Sequence, residues 1–136
     1  MIKRSLIAYA GTAGVMLVLD ALWLGLVATG WYRQGIGHLM ADEPRLGVAA
    51  LFYLLYAVGV VVFVVAPQGP PRSWGTTLGL AALFGLIAYA TYDLTNLATL
   101  RDWPLGLSLL DMAWGAVVTT AAAAGGKAAM DWAATR

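Results

Sequence analysis

Residues 6–28 read Leu6-Ile7-Ala8-Tyr9-Ala10-Gly11-Thr12-Ala13-Gly14-Val15-Met16-Leu17-Val18-Leu19-Asp20-Ala21-Leu22-Trp23-Leu24-Gly25-Leu26-Val27-Ala28, with one charged residue, Asp20. About 20 apolar residues at 1.5 Å rise cross a hydrocarbon core of ~30 Å. This run is therefore long enough to span a bilayer. The basic start Met1-Ile2-Lys3-Arg4 imitates a secretory signal, but the apolar section of a signal runs only about 7–15 residues. The reading is an uncleaved first transmembrane helix.

Three further runs of the same kind follow. The second covers about 47–67 and is closed by the breakers Pro67-Gln68-Gly69-Pro70-Pro71; the third covers about 78–100; the fourth covers about 105–124 and is closed by Gly125-Gly126. The expected fold is all-α, an integral membrane four-helix bundle that takes residues 1–136 as a single domain. Asp102, ahead of Trp103-Pro104, reads as the N-cap of the fourth helix, and Asp42-Glu43-Pro44 as the start of the second. The mixed segment Trp31–Met40, with Gly35 and Gly37, reads as a loop or a short helix in the interface. Trp31, Trp74, Trp103 and Trp132 fall near span ends, as an aromatic belt does. Gly75-x-x-x-Gly79 suggests close helix packing.

Composition excludes several functions. Of 136 residues 61% are hydrophobic and 11% charged, against about 25% charged in soluble domains. A net charge of +1 with no basic patch leaves nothing to neutralise nucleic-acid phosphates. Without cysteine there is no disulfide or thiolate metal site. No His-rich motif for iron or zinc, nucleophile elbow or Gly-rich phosphate loop is present; Asp and Asn oxygens could hold a hard divalent metal, but the expectation is no resident metal and no cofactor. Membrane lipids are the expected surroundings, and a second copy or a membrane enzyme is a possible partner. Lys3, Arg4, Arg72, Lys127 and Arg136 fall on one side, and Arg33, Arg45 and Arg101 on the other. That bias puts both termini in the cytoplasm.

The informative residues are those a bilayer should exclude. Asp20, Asp93 and Asp111 each fall inside a span, at a cost of ~2.5–3.5 kcal/mol even on the lenient insertion scale. Asp20 lies about 4–5 Å beyond the middle of helix one, Asp93 about 6 Å beyond the middle of helix three, and Asp111 about 6 Å before the middle of helix four. Odd and even helices run in opposite directions, so all three share one layer in one half of the membrane. Tyr53 of helix two joins them. Tyr89, Tyr92, Asp93 and Asn96 stand on one helical face. Asp-x-x-Trp occurs twice, as Asp20-Ala-Leu-Trp23 and Asp111-Met-Ala-Trp114, in helices of opposite direction, which hints at inverted pseudo-symmetry.

The candidate ligand-binding or proton-carrying residues are therefore Asp20, Trp23, Tyr53, Tyr56, Tyr89, Tyr92, Asp93, Asn96, Asp111 and Trp114. Each also has a plainer reading. Intramembrane Asp, Asn and Tyr serve as hydrogen-bonding glue between helices, and Trp and Tyr fill cores. His38 sits in the loop on the layer's side, a solvated residue, a proton shuttle or a metal ligand. Clustered carboxyls cannot all ionise in a low dielectric, which suits proton coupling. Tyr89 and Asn96 are the expected donors to Asp93. Carboxylates beside Trp faces also suit a cation or amine.

The run Tyr89-Ala-Thr-Tyr92-Asp93-Leu94-Thr95-Asn96-Leu97-Ala98-Thr99, with Asp20-x-x-Trp23, Phe52-Tyr53 and Asp111-Met-Ala-Trp114-Gly115, resembles a family of predicted bacterial membrane proteins, the domain of unknown function numbered 2177. The resemblance covers nearly the whole chain. It implies a small bacterial inner-membrane protein and supplies no established activity or catalytic residue. It also carries an association with membrane-lipid modification, which assigns no role. Two main function classes stand at this point. One is binding or proton-coupled transport of a small polar or cationic ligand. The other is a lipid-modifying enzyme, or its accessory subunit, at the outer leaflet. A structural or sensory membrane partner is the third reading. Whether the chain is an enzyme is left open.

Overall fold

The computed structural model describes residues 2–67 and 73–135. Gln68–Pro71 of the proposed helix breaker, and Arg72 and Arg136 of the charge count, lie outside the described residues. Four helices are long and apolar enough to cross a membrane: α1 (Ile2–Val27), α3 (Leu46–Val65), α4 (Trp74–Thr99) and α5 (Leu105–Ala134). A short helix, α2 (Thr29–Ile36), and a 3-10 turn, Gly37–Leu39, join α1 to α3. No strand occurs among the described residues. In a bilayer this follows from the backbone, whose polar groups must be satisfied within each segment.

Helix ends follow local chemistry. Ser73 caps α4, its Oγ accepting from the Thr76 amide at 3.1 Å. α1 and α3 each finish in a wide π turn, closed by Ala28 N–H to Trp23 O and Ala66 N–H to Val61 O at 2.7 Å. Two expected caps are absent. α5 is preceded by Pro104 with no side-chain cap, while Asp102 takes φ 58 in the turn. An Asp side chain tolerates that left-handed conformation better than most. α3 likewise starts after Arg45, uncapped by Asp42 or Glu43.

α5 does not stop at Gly125-Gly126 but runs on to Ala134. Those glycines are contact points and not breakers. A Cβ on Gly11 would lie 2.8 Å from the Gly125 carbonyl oxygen, and one on Gly126 would lie 2.1 Å from Thr12 Oγ1. A Cβ on Gly85 would lie 2.2 Å from the Gly115 oxygen. Only hydrogen fits at these points, so α1 and α4 close onto α5 backbone to backbone. α5 is thus the central helix, packed along both. The pair Gly75 and Gly79 plays no such part, since a Cβ on either meets nothing within 4 Å.

The outer faces of the spans are apolar. Leu51, Leu55 and Phe63 are about two-thirds exposed, and Val18, Leu83, Ile87, Leu109 and Val117 are more than half exposed. An apolar surface this extensive suits lipid as the surrounding solvent. Polar groups point inward: Thr12, Asp20, Thr77, Asp93, Ser108, Asp111, Thr119 and Lys127 are buried. Lys127, counted from sequence among the terminal basic residues, sits inside α5. Its Nζ bonds Asp131 at 2.9 Å and lies 5.0 Å from the Trp74 ring centre. Trp103 also departs from the belt. It is buried edge-on to Tyr92, with ring centres 5.6 Å apart, whereas Trp31, Trp74 and Trp132 are exposed.

Candidate functional site

On the side of the bundle away from Ile2 and Ala134, the four spans enclose a cavity of about 450 Å³. α1 contributes Asp20, Trp23 and Leu24, and α2 contributes Tyr32. α3 contributes Phe52, Tyr53 and Tyr56. α4 contributes Ala88, Tyr89 and Tyr92, and α5 contributes Asp111 and Trp114. The volume lies within the usual range for small-molecule sites, ~300–1,000 Å³. Apart from Leu24 and Ala88 the lining is aromatic or carboxylic, and among the described residues it holds no Lys, Arg or His.

The two Asp-x-x-Trp motifs interlock across the α1–α5 contact. Trp114 donates its indole N–H to Asp20 Oδ1 at 2.7 Å. Trp23 donates to the Tyr32 hydroxyl at 3.1 Å, and Tyr32 donates to Asp111 Oδ1 at 2.5 Å. The tryptophan of each motif therefore serves the carboxyl of the other, directly in one case and through Tyr32 in the second. Tyr53 faces the same cavity as Asp20. Tyr56 exchanges a 2.8 Å hydrogen bond with Thr119 at the cavity floor. Gly115 makes room for Tyr89, since a Cβ there would lie 2.2 Å from the ring.

Asp20, Asp93 and Asp111 are 5%, 2% and 8% exposed and all face the interior. Eight of the ten sequence candidates line the cavity: Asp20, Trp23, Tyr53, Tyr56, Tyr89, Tyr92, Asp111 and Trp114. Asp93 stands behind the wall. It neighbours the carboxyl of Asp111, and its Oδ2 is buried without a hydrogen bond. No hydrogen bond from Tyr89 or Asn96 reaches it among the described residues, contrary to the pattern on the α4 face. Asn96 is half-buried and lies off the cavity. His38 is exposed in the 3-10 turn, also off the cavity.

Sequence reasoning missed Tyr32, Leu24 and Ala88 as lining, and it placed Phe52 beside the layer without naming it as a site residue. Tyr32 is the consequential one. It lies outside the spans, and α2 must fold back for it to reach Asp111. The fold-back is held by Gly35, where a Cβ would lie 2.9 Å from Leu107 and 3.0 Å from Pro104. Burial first, and then the bond to Asp111, push the Tyr32 hydroxyl well above the ordinary tyrosine range. It therefore stays a donor to Asp111.

The cavity can hold a cation. Two carboxyls supply charge and the aromatic faces supply quadrupoles, an attraction that reaches ~2 kcal/mol when desolvated. It is less suited to a metal ion, and no group of three His, Cys, Asp or Glu side chains converges as a metal site among the described residues.

Residues 5–128 match the family described as predicted membrane protein, DUF2177. No curated protein and no solved structure matches the chain.

Proposed function

The chain belongs to the DUF2177 family of predicted membrane proteins, and we propose that it binds the cationic group of a small ligand in the Asp–aromatic cavity and moves that ligand in exchange for a proton. The observation that carries this reading is the pairing of charge with aromatic faces. Asp20 and Asp111 both open on one cavity whose other polar walls are Trp and Tyr. A buried carboxylate without a countercharge is costly, and a bound cation removes that cost. Asp111 and Asp93 are neighbours inside the bundle, and two adjacent carboxyls in a low dielectric cannot both ionise, so this pair is the source we assign to the exchangeable proton.

We place the protein in the bacterial inner membrane with both termini in the cytoplasm, on the five-to-three bias in basic residues. The cavity then lies in the outer half. The test is uptake of radiolabelled tetramethylammonium into proteoliposomes with and without a pH gradient. Gradient-dependent uptake, lost in Asp20→Asn and Asp111→Asn, is expected. Binding without uptake would leave a receptor and remove the transporter. Neither binding nor uptake would overturn the reading.

A lipid-modifying enzyme or accessory subunit is the second reading. It is favoured by the exposure of Phe52 and Tyr92 at the cavity rim, where acyl chains can reach them. Under it, a deletion strain has an altered lipid profile; an unchanged profile under envelope stress counts against it.

A further inference from the structure

The cavity is sealed between α1 and α5 and opens between α3 and α4. Toward α1 and α5 it is sealed by the stacked Trp23 and Trp114 and the bonds that hold them. Between α3 and α4 the seal is partial. The backbones approach through Val61–Val65, at the end of α3 far from the cavity. Tyr56 bridges the gap at the cavity floor, its ring centre 5.5 Å from Phe84 and 6.3 Å from Tyr89. Beyond Tyr56 the rim of the cavity is formed by Phe52 on α3 and Tyr92 on α4, 48% and 52% exposed. Phe52 lies about 9 Å along the axis from Leu46, and Tyr92 about 10 Å from Thr99. This opening is at the depth of acyl chains and below the helix ends. Its rim carries no charged side chain.

We propose that the occupant is a single-chain cationic amphiphile that enters sideways from the lipid between α3 and α4, its ammonium head going to Asp20 and Asp111 and its hydrocarbon chain remaining between Phe52 and Tyr92. This rests on the cation-binding reading above and adds the ligand class and the route. The head needs carboxyls and aromatic faces, which the cavity has. The chain needs an apolar exit at membrane depth, which the α3–α4 gap supplies. A phosphate beside the nitrogen is disfavoured, since no basic side chain lines the cavity to meet it. That separates a simple alkylammonium from a phospholipid headgroup.

The experiment uses the full chain in phosphatidylcholine nanodiscs, with empty nanodiscs as the blank and probe concentrations expressed within the membrane. Labelled dodecyltrimethylammonium is compared with tetramethylammonium, and dodecylphosphocholine is the competitor. The expected result is that the dodecyl probe binds about tenfold tighter than tetramethylammonium after correction for partition, and that dodecylphosphocholine fails to displace it. Ala88→Phe, which fills the gap, should slow its exchange, and Phe52→Ala should speed it. Each variant is first matched to wild type in helical signal and melting temperature. Equal affinity for both ammonium probes, with no rate change in either variant, would overturn lateral entry and leave the cation site standing. Displacement by dodecylphosphocholine would make the occupant a phospholipid and overturn the ligand class. Binding of neither ammonium probe would overturn the cation site itself.

Discussion

The indole rings of Trp23 and Trp114 lie parallel, 4.3 Å apart between centres and 4° from one another in plane. The stack joins α1 to α5 next to the cavity and fixes where each ring N–H points. Trp114 thereby serves Asp20, and Trp23 serves Asp111 through Tyr32.

Trp114→Phe keeps an aromatic ring in the stack and removes the donor to Asp20. A hydrogen bond to a charged group contributes about 1.5–3 kcal/mol, so the variant should melt lower in detergent by that order. Asp20→Asn in the same background should cost less than it does alone, because the bond is already gone. A double-mutant cycle measures the coupling. Additive losses would show that the 2.7 Å bond contributes nothing separable.

Tyr32→Phe should loosen two partners at once, Trp23 and Asp111. It also gives a pH signature. The Tyr32 hydroxyl is raised above its ordinary value of 10.0 in the folded protein, by burial first and by Asp111 second. The folded state then holds the proton where the unfolded state has lost it. That contribution to stability is whole below about pH 10 and declines as pH rises above it. The alkaline decline in melting temperature should be shallower in Tyr32→Phe than in wild type. Parallel declines would mean that Tyr32 titrates alike in both states.

Gly126→Leu and Gly14→Leu make a matched pair on the question of helix contact. A Cβ on Gly126 meets Thr12 Oγ1 at 2.1 Å and the Ala8 carbonyl oxygen at 2.9 Å, whereas one on Gly14 meets nothing within 4 Å. Overpacking costs typically 1–3 kcal/mol, and here the obstacle includes backbone. Gly126→Leu should fall at or above that range in a detergent melt, and Gly14→Leu should stay within about 0.5 kcal/mol of wild type. Equal behaviour of the two would refute the backbone contact between α1 and α5.

Length and hydropathy made the four spans legible, because a bilayer sets the length of every segment that crosses it. The layer of Asp20, Asp93 and Asp111 was legible too, since depth follows from counting residues along helices of alternating direction. Two things lay beyond that counting. Gly125-Gly126 carries the same local signal whether it ends a helix or admits a neighbour, and only the position of Thr12 on α1 decides between them. Tyr32 looks like any interfacial tyrosine until α2 folds back over Pro104 and Leu107. Asn96 shows the opposite error. It shares a helical face with Asp93, but the wall of the cavity ends before reaching it.

Asp93 is the least exposed of the three carboxyls, and it neighbours another carboxyl, Asp111. Two neighbouring carboxyls in a low dielectric cannot both ionise, which favours one proton held between them. Asp93→Asn replaces that shared proton with an amide N–H that cannot leave. Asp111 keeps a donor on each side, Tyr32 and the new amide, so the fold should stay within about 1 kcal/mol of wild type. Asp93→Leu removes the partner outright and should cost more, about 1–3 kcal/mol. The functional difference lies in proton release. Wild type should release about one proton for each quaternary ammonium bound, as the cation takes over the charge the proton had balanced. Asp93→Asn should bind the cation and release none. A pH-indicator dye in weakly buffered detergent solution reads this directly. Equal release from wild type and Asp93→Asn would place the exchangeable proton elsewhere, with Asp20, which accepts from Trp114, the next carboxyl to test.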